Sequence, residues 1–239
     1  MRTMPAWLAV ICRILIIILL PFVLTLTNVR LLMTHAFPEI EYSLPGFPDD
    51  PYAMTKADRL MWSKISIDYL LNNSGIEFLK ALHFPAGVTA PPESCSFYLD
   101  GDCNRFYNDR ELKHMSDVKI VTRLALNIWV LSAILVIGSA GLLFYFGQKS
   151  VLRAALLGGS GLTIIILVGI VTYLLANFNT FFIQFHEVFF EGGTWSFLWS
   201  DSLIRLFPLR FWEDAFIFVG GGAIVEAVLV AAWAWWGLK

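Results

Sequence analysis

Two long stretches of the chain, residues 124–146 and 154–185, contain no Asp, Glu, Lys or Arg. About 20 apolar residues are enough for a helix to cross the hydrocarbon core of a bilayer, and both stretches are longer. Residues 6–28 and 215–238 are also apolar and carry one charge each, Arg13 and Glu226. The sequence therefore predicts an all-α integral membrane protein with four transmembrane helices.

The four spans divide the chain into six segments. We predict transmembrane helices at residues 1–30, 120–147, 152–176 and 214–239, with an extramembrane cap at 31–119 and an aromatic-rich outer segment at 177–213. The hydrophobic share of 57% agrees with this plan, and a formal net charge of -2 excludes the strongly basic surface that nucleic-acid binding needs.

The short loops predict the orientation of the chain, because Lys and Arg accumulate on the cytoplasmic side. Lys149 and Arg153 lie in the tight connection between the second and third spans, Arg2 precedes the first span and Lys239 ends the sequence. We therefore expect both termini in the cytoplasm, and the cap and the aromatic-rich segment outside it.

The cap is predicted to be a small mixed α/β fold. Apolar residues recur at helical spacing between residues 55 and 71, which predicts a helix there. In the segment CSFYLDGDC, Asp100 and Gly101 have turn chemistry between two strand-forming runs, which predicts a hairpin. Cys95 and Cys103 are candidates for a disulfide across it, since an outer location permits oxidation.

His114 lies just before the second span, on a helix that Asn108 and Glu111 are predicted to start through reciprocal capping. Glu111, His114 and Asp117 are three residues apart and share a helix face, so either carboxylate is placed to orient the imidazole. The alternative is a solvated polar face at a helix end.

His186 lies among phenylalanines in the outer aromatic-rich segment. Phe182, Phe185 and Phe189 share one apolar helix face beside it, and Trp195 follows in the next loop. An interfacial aromatic belt accounts for the tryptophans taken singly. It accounts less well for an imidazole embedded among phenylalanines, where a neutral general base is an alternative interpretation.

Familiar catalytic motifs are missing from the sequence. It has no G-x-S-x-G, H-E-x-x-H, C-x-x-C, P-loop or dinucleotide fingerprint, and its four histidines are far apart along the chain. We therefore expect no metal and no cofactor. An enzyme of this composition would need a substrate that supplies its own nucleophile.

The segments RELKHMSDVK and FHEVFFEGGTWSFLWSDSLIRLFPLRFW resemble the two signature regions of the bacterial lipoprotein intramolecular transacylase (Lit) family. The four-span plan with an outer cap between the first two spans resembles that family as well. The proline-rich part of the cap and the pair Cys95 and Cys103 do not match it.

The resemblance implies a bacterial cell-membrane acyltransferase that acts on a diacylglyceryl lipoprotein among membrane lipids. The sn-2 acyl chain would pass to the α-amino group of the N-terminal cysteine and leave a lyso-form product. His186 and His114 would then be the general acid/base pair. Phe182, Phe185, Phe189, Trp195 and Arg123 are the predicted substrate contacts.

Two functions of other classes remain as alternatives. One is a noncatalytic scaffold whose cap binds a partner protein. The other is a four-helix thiol oxidoreductase that uses Cys95 and Cys103, although the seven residues between them are unlike a redox-active pair.

Overall fold

The computed structural model describes residues 4–237, which form ten helices. Two residues used above to predict the orientation, Arg2 and Lys239, lie outside the described range. The helices are α1 (Ala6–Leu32), α2 (Ala36–Glu41), α3 (Lys56–Leu71), α4 (Glu77–Lys80), α5 (Pro92–Cys95), α6 (Asp109–Tyr145), α7 (Lys149–Ala176), α8 (Phe178–Phe189), α9 (Ser202–Leu206) and α10 (Leu209–Trp236).

Four of these helices, α1, α6, α7 and α10, are long and apolar enough to cross a membrane. Their most apolar windows have mean hydropathies between 2.2 and 2.8. The predicted all-α architecture with four spans is therefore confirmed. Helix α6 begins well before the apolar run that revealed it, so His114 and the second span share one continuous helix.

The chain divides into two compact units. The first contains the residues up to Leu32, Ala125–Asn177, and the residues from Phe216 onward. Within it, α1 packs closely on α7 at Gly159, where a Cβ atom would lie 3.0 Å from Leu20 Cβ and 3.1 Å from the Ile16 carbonyl oxygen. Glycine at this position lets the two helices approach each other, as small residues do in membrane helix pairs.

A partly buried polar pair links α1 to α10 in the same unit. The side-chain amide of Asn28 donates to Glu226 Oε2 at 3.1 Å. Gly222 leaves room for that amide, because a Cβ atom there would lie 2.3 Å from Asn28 Oδ1. Glu226 thus has a polar partner, as an ionisable residue within a span requires.

The second unit contains Met33–Leu124 and Phe178–Ala215, and so both candidate histidines. Its core is aromatic, with Trp62 stacked on Phe106 at 4.3 Å and Tyr107 fully buried beside them. The predicted helix at 55–71 is confirmed as α3, and Thr55 starts it by accepting a hydrogen bond from the backbone N–H of Asp58.

The predicted mixed α/β cap and its hairpin are wrong. Within residues 4–237 the chain forms no strand, and the only strand-like pairing there is an isolated bridge between His83 and Arg105. Gly101 does make a turn, at φ +75°, but its two flanks do not pair with each other as strands, and side-chain bonds link them. Arg105 binds Asp100 and Asp109, and Asp109 accepts from the backbone N–H of Leu99.

The segment before this turn is helical for a local reason. Pro92 occupies the first position of α5, where the fixed φ of proline favours a helical turn over a strand. A disulfide joins Cys95 at the end of α5 to Cys103 after the turn. The cap is therefore a set of short helices and side-chain-bonded loops.

Candidate active site

His114 lies on α6 shortly after a reciprocally capped start. Asn108 Oδ1 accepts from the backbone N–H groups of Arg110 and Glu111, both at 3.1 Å, and Glu111 Oε2 accepts from the backbone N–H of Asn108 at 2.9 Å. These bonds satisfy N–H groups that a helix start leaves without partners. They therefore fix the register in which α6 presents His114.

The same two residues bind the segment that follows the aromatic loop. Glu111 Oε1 accepts from the backbone N–H of Leu203 at 2.6 Å, and Asn108 Nδ2 donates to Asp201 Oδ1 at 2.9 Å. Asp201 also accepts from Arg110 at 3.0 Å and from the backbone N–H of Leu198 at 2.8 Å. The start of α6 and the start of α9 are thus one hydrogen-bonded assembly.

The two imidazoles lie side by side. The ring centroids of His114 and His186 are 6.1 Å apart, and the ring planes differ by 23°. Phe190 contacts both rings, at 4.9 Å and 5.5 Å, while Phe197 packs on His114 at 5.3 Å. Residues that are distant in the sequence therefore converge on one aromatic site.

Helix α8 places His186 and most of the rings around it. Phe182 lies one turn earlier, 4.1 Å from the imidazole, and Phe185 lies 5.7 Å from it. Phe189 extends the stripe by packing on Phe185 at 4.9 Å, and Trp195 approaches His186 from the next loop at 4.9 Å. The four predicted aromatic contacts thus form one continuous wall beside His186.

The backbone sets the tautomer of His186. Its Nδ1 lies 2.8 Å from the carbonyl oxygen of Phe182. A carbonyl oxygen only accepts, so the hydrogen of the neutral ring belongs on Nδ1. Nε2 then has a free lone pair, which is the form that a general base requires.

Burial keeps the pair neutral. It lowers the pKa of His186, although the hydrogen bond to Phe182 opposes the shift. His114 is 8% exposed, and its Nδ1 has no hydrogen-bond partner within residues 4–237. Desolvation without a neighbouring anion favours an uncharged imidazole. The site therefore holds two neutral rings.

The predicted orienting role of Glu111 and Asp117 stays a prediction that these contacts do not support. Both oxygens of Glu111 are taken by backbone N–H groups, because it serves as the capping residue of its own helix. The unpartnered Nδ1 of His114 means that Asp117 does not orient the ring through that atom either. The rings of Phe190 and Phe197 pack on His114 instead.

Arg123 is bound to the end of α3. Its guanidinium donates to the carbonyl oxygen of Asn72 at 2.6 Å and to Asn73 Oδ1 at 3.1 Å. Its predicted contact with substrate stays a prediction. The part of the chain that the structure describes also shows no group of three or more His, Cys, Asp or Glu residues placed to hold a metal ion.

No local sequence pattern marks Asp201, because its partners Asn108 and Arg110 lie about ninety residues away along the chain. Phe190 and Phe197 were visible only as members of an aromatic-rich run. A long run of aromatic residues indicates which rings are candidates for contact with the histidines, but only the packing shows which of them make it.

Comparison with known proteins relates this architecture to one family. A sequence model described as "Lipoprotein intramolecular transacylase Lit" matches residues 14–212. An uncharacterized protein of Aquifex aeolicus is 29% identical over 218 residues, which cover 91% of this chain and 90% of the relative.

Solved structures of the membrane integral lipoprotein intramolecular transacylase Lit from Bacillus cereus have the same fold. One is 17% identical and has a TM-score of 0.77, and the match covers 97% of this chain and 96% of the other. A form with a histidine-to-arginine mutation is 16% identical, with a TM-score of 0.68 and coverage of 95% and 91%.

Proposed function

The chain belongs to the lipoprotein intramolecular transacylase family, Lit, and we propose that its two imidazoles carry the transfer. Family membership makes the protein an acyltransferase of the membrane. In our proposal, the sn-2 acyl chain of a diacylglyceryl lipoprotein moves to the α-amino group of that lipoprotein's N-terminal cysteine. The product is the lyso-form.

The chemistry needs bases more than it needs a protein nucleophile. The attacking α-amino group has a reference pKa of about 7.7–8.0, so it is mostly protonated at neutral pH. Its path to the ester carbonyl closes an eight-membered ring, which forms slowly in free solution. A pocket that holds the two reacting ends together supplies orientation, a contribution of up to about 7–11 kcal/mol.

Each proton has a place to go in this site. The amine nitrogen attacks the ester carbonyl carbon, and Nε2 of His186 takes a proton from that nitrogen. The bond to the glyceryl oxygen then breaks and His114 donates a proton to that oxygen. His114 regains a proton from protonated His186, so both rings end neutral. The observation that carries the proposal is the pairing of the rings at 6.1 Å, with Nδ1 of His186 held by Phe182.

The aromatic wall takes the apolar part of the substrate. Phe182, Phe185 and Trp195 pack around His186, Phe189 packs on Phe185, and together they would give an acyl chain apolar contacts next to the reacting atoms. A dry environment strengthens the polar contacts made at the reacting carbonyl.

The location is part of the same proposal. We place the protein in the bacterial cell membrane with both termini in the cytoplasm and the histidine site outside it. Lys149 and Arg153 in the connection between α6 and α7 support this orientation.

The experiment replaces each histidine by asparagine in cells that also express a diacylglyceryl lipoprotein. Mass spectrometry of the lipoprotein's N-terminal peptide measures the lyso-form. We expect His114→Asn and His186→Asn to lower its formation at least about 100-fold, because positioned acid/base groups contribute that much.

The matched control is His83→Asn. That imidazole is half exposed and lies 3.5 Å from Asp102, so the control should retain wild-type product. Near-normal product in both site variants, with the protein present in the membrane, would show that the imidazoles do not carry the transfer.

A further inference from the structure

One polar atom beside the imidazoles has no protein partner. Nε1 of Trp195 is buried, and no acceptor within residues 4–237 lies in hydrogen-bond range of it. An indole nitrogen can only donate, and it is the only polar atom of this side chain. Leaving such a donor unsatisfied in a folded protein is costly, so it requires an explanation.

Other buried atoms without partners belong mostly to groups that are satisfied elsewhere. Arg59 and Arg110 each have one unpartnered nitrogen and Arg105 has two, but each donates through another nitrogen of the same guanidinium. Trp195 has no second donor to use. Its unmade bond therefore differs in kind from those of the arginines.

Trp195 lies where its unpartnered N–H could bind a substrate. The indole lies 4.9 Å from the ring of His186, which is itself 6.1 Å from His114. The backbone is fixed on both sides of it, since the N–H of Thr194 donates to the carbonyl of Glu191 at 3.2 Å and that of Leu198 donates to Asp201 at 2.8 Å. The donor is held in place before any ligand arrives.

We propose that the indole N–H of Trp195 donates a hydrogen bond to the carbonyl oxygen of the migrating acyl group as that oxygen becomes an oxyanion. This inference rests on the proposed function. The amine nitrogen bonds to the carbonyl carbon, the bond from that carbon to the glyceryl oxygen breaks, and the indole keeps its proton throughout. A preorganised donor in a water-poor site stabilises developing negative charge effectively.

The substrate reaches this donor through the packing of α8. None of the residues of α8 is buried, although the helix contributes Phe182, Phe185 and His186 to the site. An entering acyl chain parts the rings and exchanges ring–ring contacts for ring–chain contacts of similar apolar character.

The test uses the full chain in lipid nanodiscs with a synthetic diacylglyceryl lipopeptide that has a free N-terminal cysteine. Trp195→Phe retains an apolar ring and removes the N–H. We expect kcat to fall about 100-fold, the usual effect of losing one oxyanion donor, while KM changes little. Trp199→Phe is the matched control, because Trp199 follows in the same loop and is 74% exposed, and it should retain both constants.

A second substitution separates the N–H from the shape of the ring. Benzothienylalanine at position 195 replaces the indole nitrogen by sulfur and preserves the bicyclic outline. We expect it to reproduce the loss of kcat with an unchanged Tm, whereas a merely structural tryptophan would lose kcat and Tm together or lose neither.

A kcat within about threefold of wild type for the benzothienyl protein would overturn the inference, because a lost transition-state bond lowers kcat directly. In that case His186→Asn would still be inactive and the proposed function would stand. Full activity in both histidine variants would instead overturn the proposed function itself.

Discussion

The side chain of Glu111 distinguishes two interpretations of the site, and Glu111→Gln tests them. The amide oxygen of glutamine can keep one of the two backbone N–H bonds, from Asn108 or from Leu203. The NH₂ group then faces the other N–H, which loses its acceptor inside the protein. An unsatisfied buried donor costs roughly 1–3 kcal/mol.

That loss translates into a measurable change in Tm. For a chain of this length, 1 kcal/mol corresponds to about 2–4 °C, so we expect Glu111→Gln to lower Tm by roughly 2–12 °C. Thermal unfolding of the purified protein in one detergent, followed by intrinsic tryptophan fluorescence, measures it. Glu187→Gln on the exposed face of α8 is the control and should leave Tm unchanged.

The two interpretations give different outcomes. If Glu111 joined the start of α6 to α9, stability would fall, and the remaining folded enzyme would keep the shape of its pH profile. If Glu111 instead oriented His114, activity and its pH midpoint would change while Tm stayed within about 1 °C, a change equivalent to less than roughly 0.5 kcal/mol. The second outcome would refute the structural role derived from the two backbone bonds.

Two further expectations follow from particular groups. Burial lowers the pKa of His186, so its neutral base form persists into more acid solution than that of an exposed histidine. The acid limb of kcat should therefore have its midpoint below about 6.5. Profiles of kcat against pH with saturating lipopeptide measure this midpoint, and a value above about 7 would contradict the assignment of His186 as the base. Gly159→Ala should destabilise the α1–α7 packing by about 1–3 kcal/mol, because the added Cβ meets Leu20 and the Ile16 carbonyl. Gly161→Ala is the control and should be neutral or slightly stabilising, because its Cβ would have nothing within 4 Å. Equal Tm values for the two variants would contradict the packing argument.

The membrane architecture was accessible from the sequence because its signal is long and local. The absence of charged residues from 124–146 and 154–185 predicts a membrane helix in each stretch, whatever the rest of the chain does. The start of α6 was equally local, since Asn108 and Glu111 cap the helix on which they lie. Both signals act within a few turns of chain.

The errors came from interactions that no local pattern contains. Asp100 and Gly101 correctly indicated a turn, but turn chemistry does not say what flanks the turn, and Arg105 and Asp109 hold the flanks by side-chain bonds. The orienting role of Glu111 stays a prediction, and the backbone contacts of its two oxygens were not visible in the sequence for the same reason. The spacing of Glu111 from His114 is correct for contact on a helix. Its Oε1 nevertheless accepts a hydrogen bond from the backbone N–H of Leu203 in α9, ninety-two residues away.

The choice of aromatic rings over carboxylates as neighbours of the imidazoles has a chemical consequence. A carboxylate beside His186 would raise its pKa and favour the protonated ring, which cannot accept a proton. The aromatic wall instead disfavours every charged form, including the ammonium form of the incoming amine. In the proposed mechanism, the amine therefore enters the pocket neutral, attacks, and becomes strongly acidic once it bonds to the carbonyl carbon. Neutral Nε2 of His186 would then be sufficient to take that proton. A weak base held in an apolar pocket would be adequate for this transfer, where a strong base in water would stay protonated or be solvated.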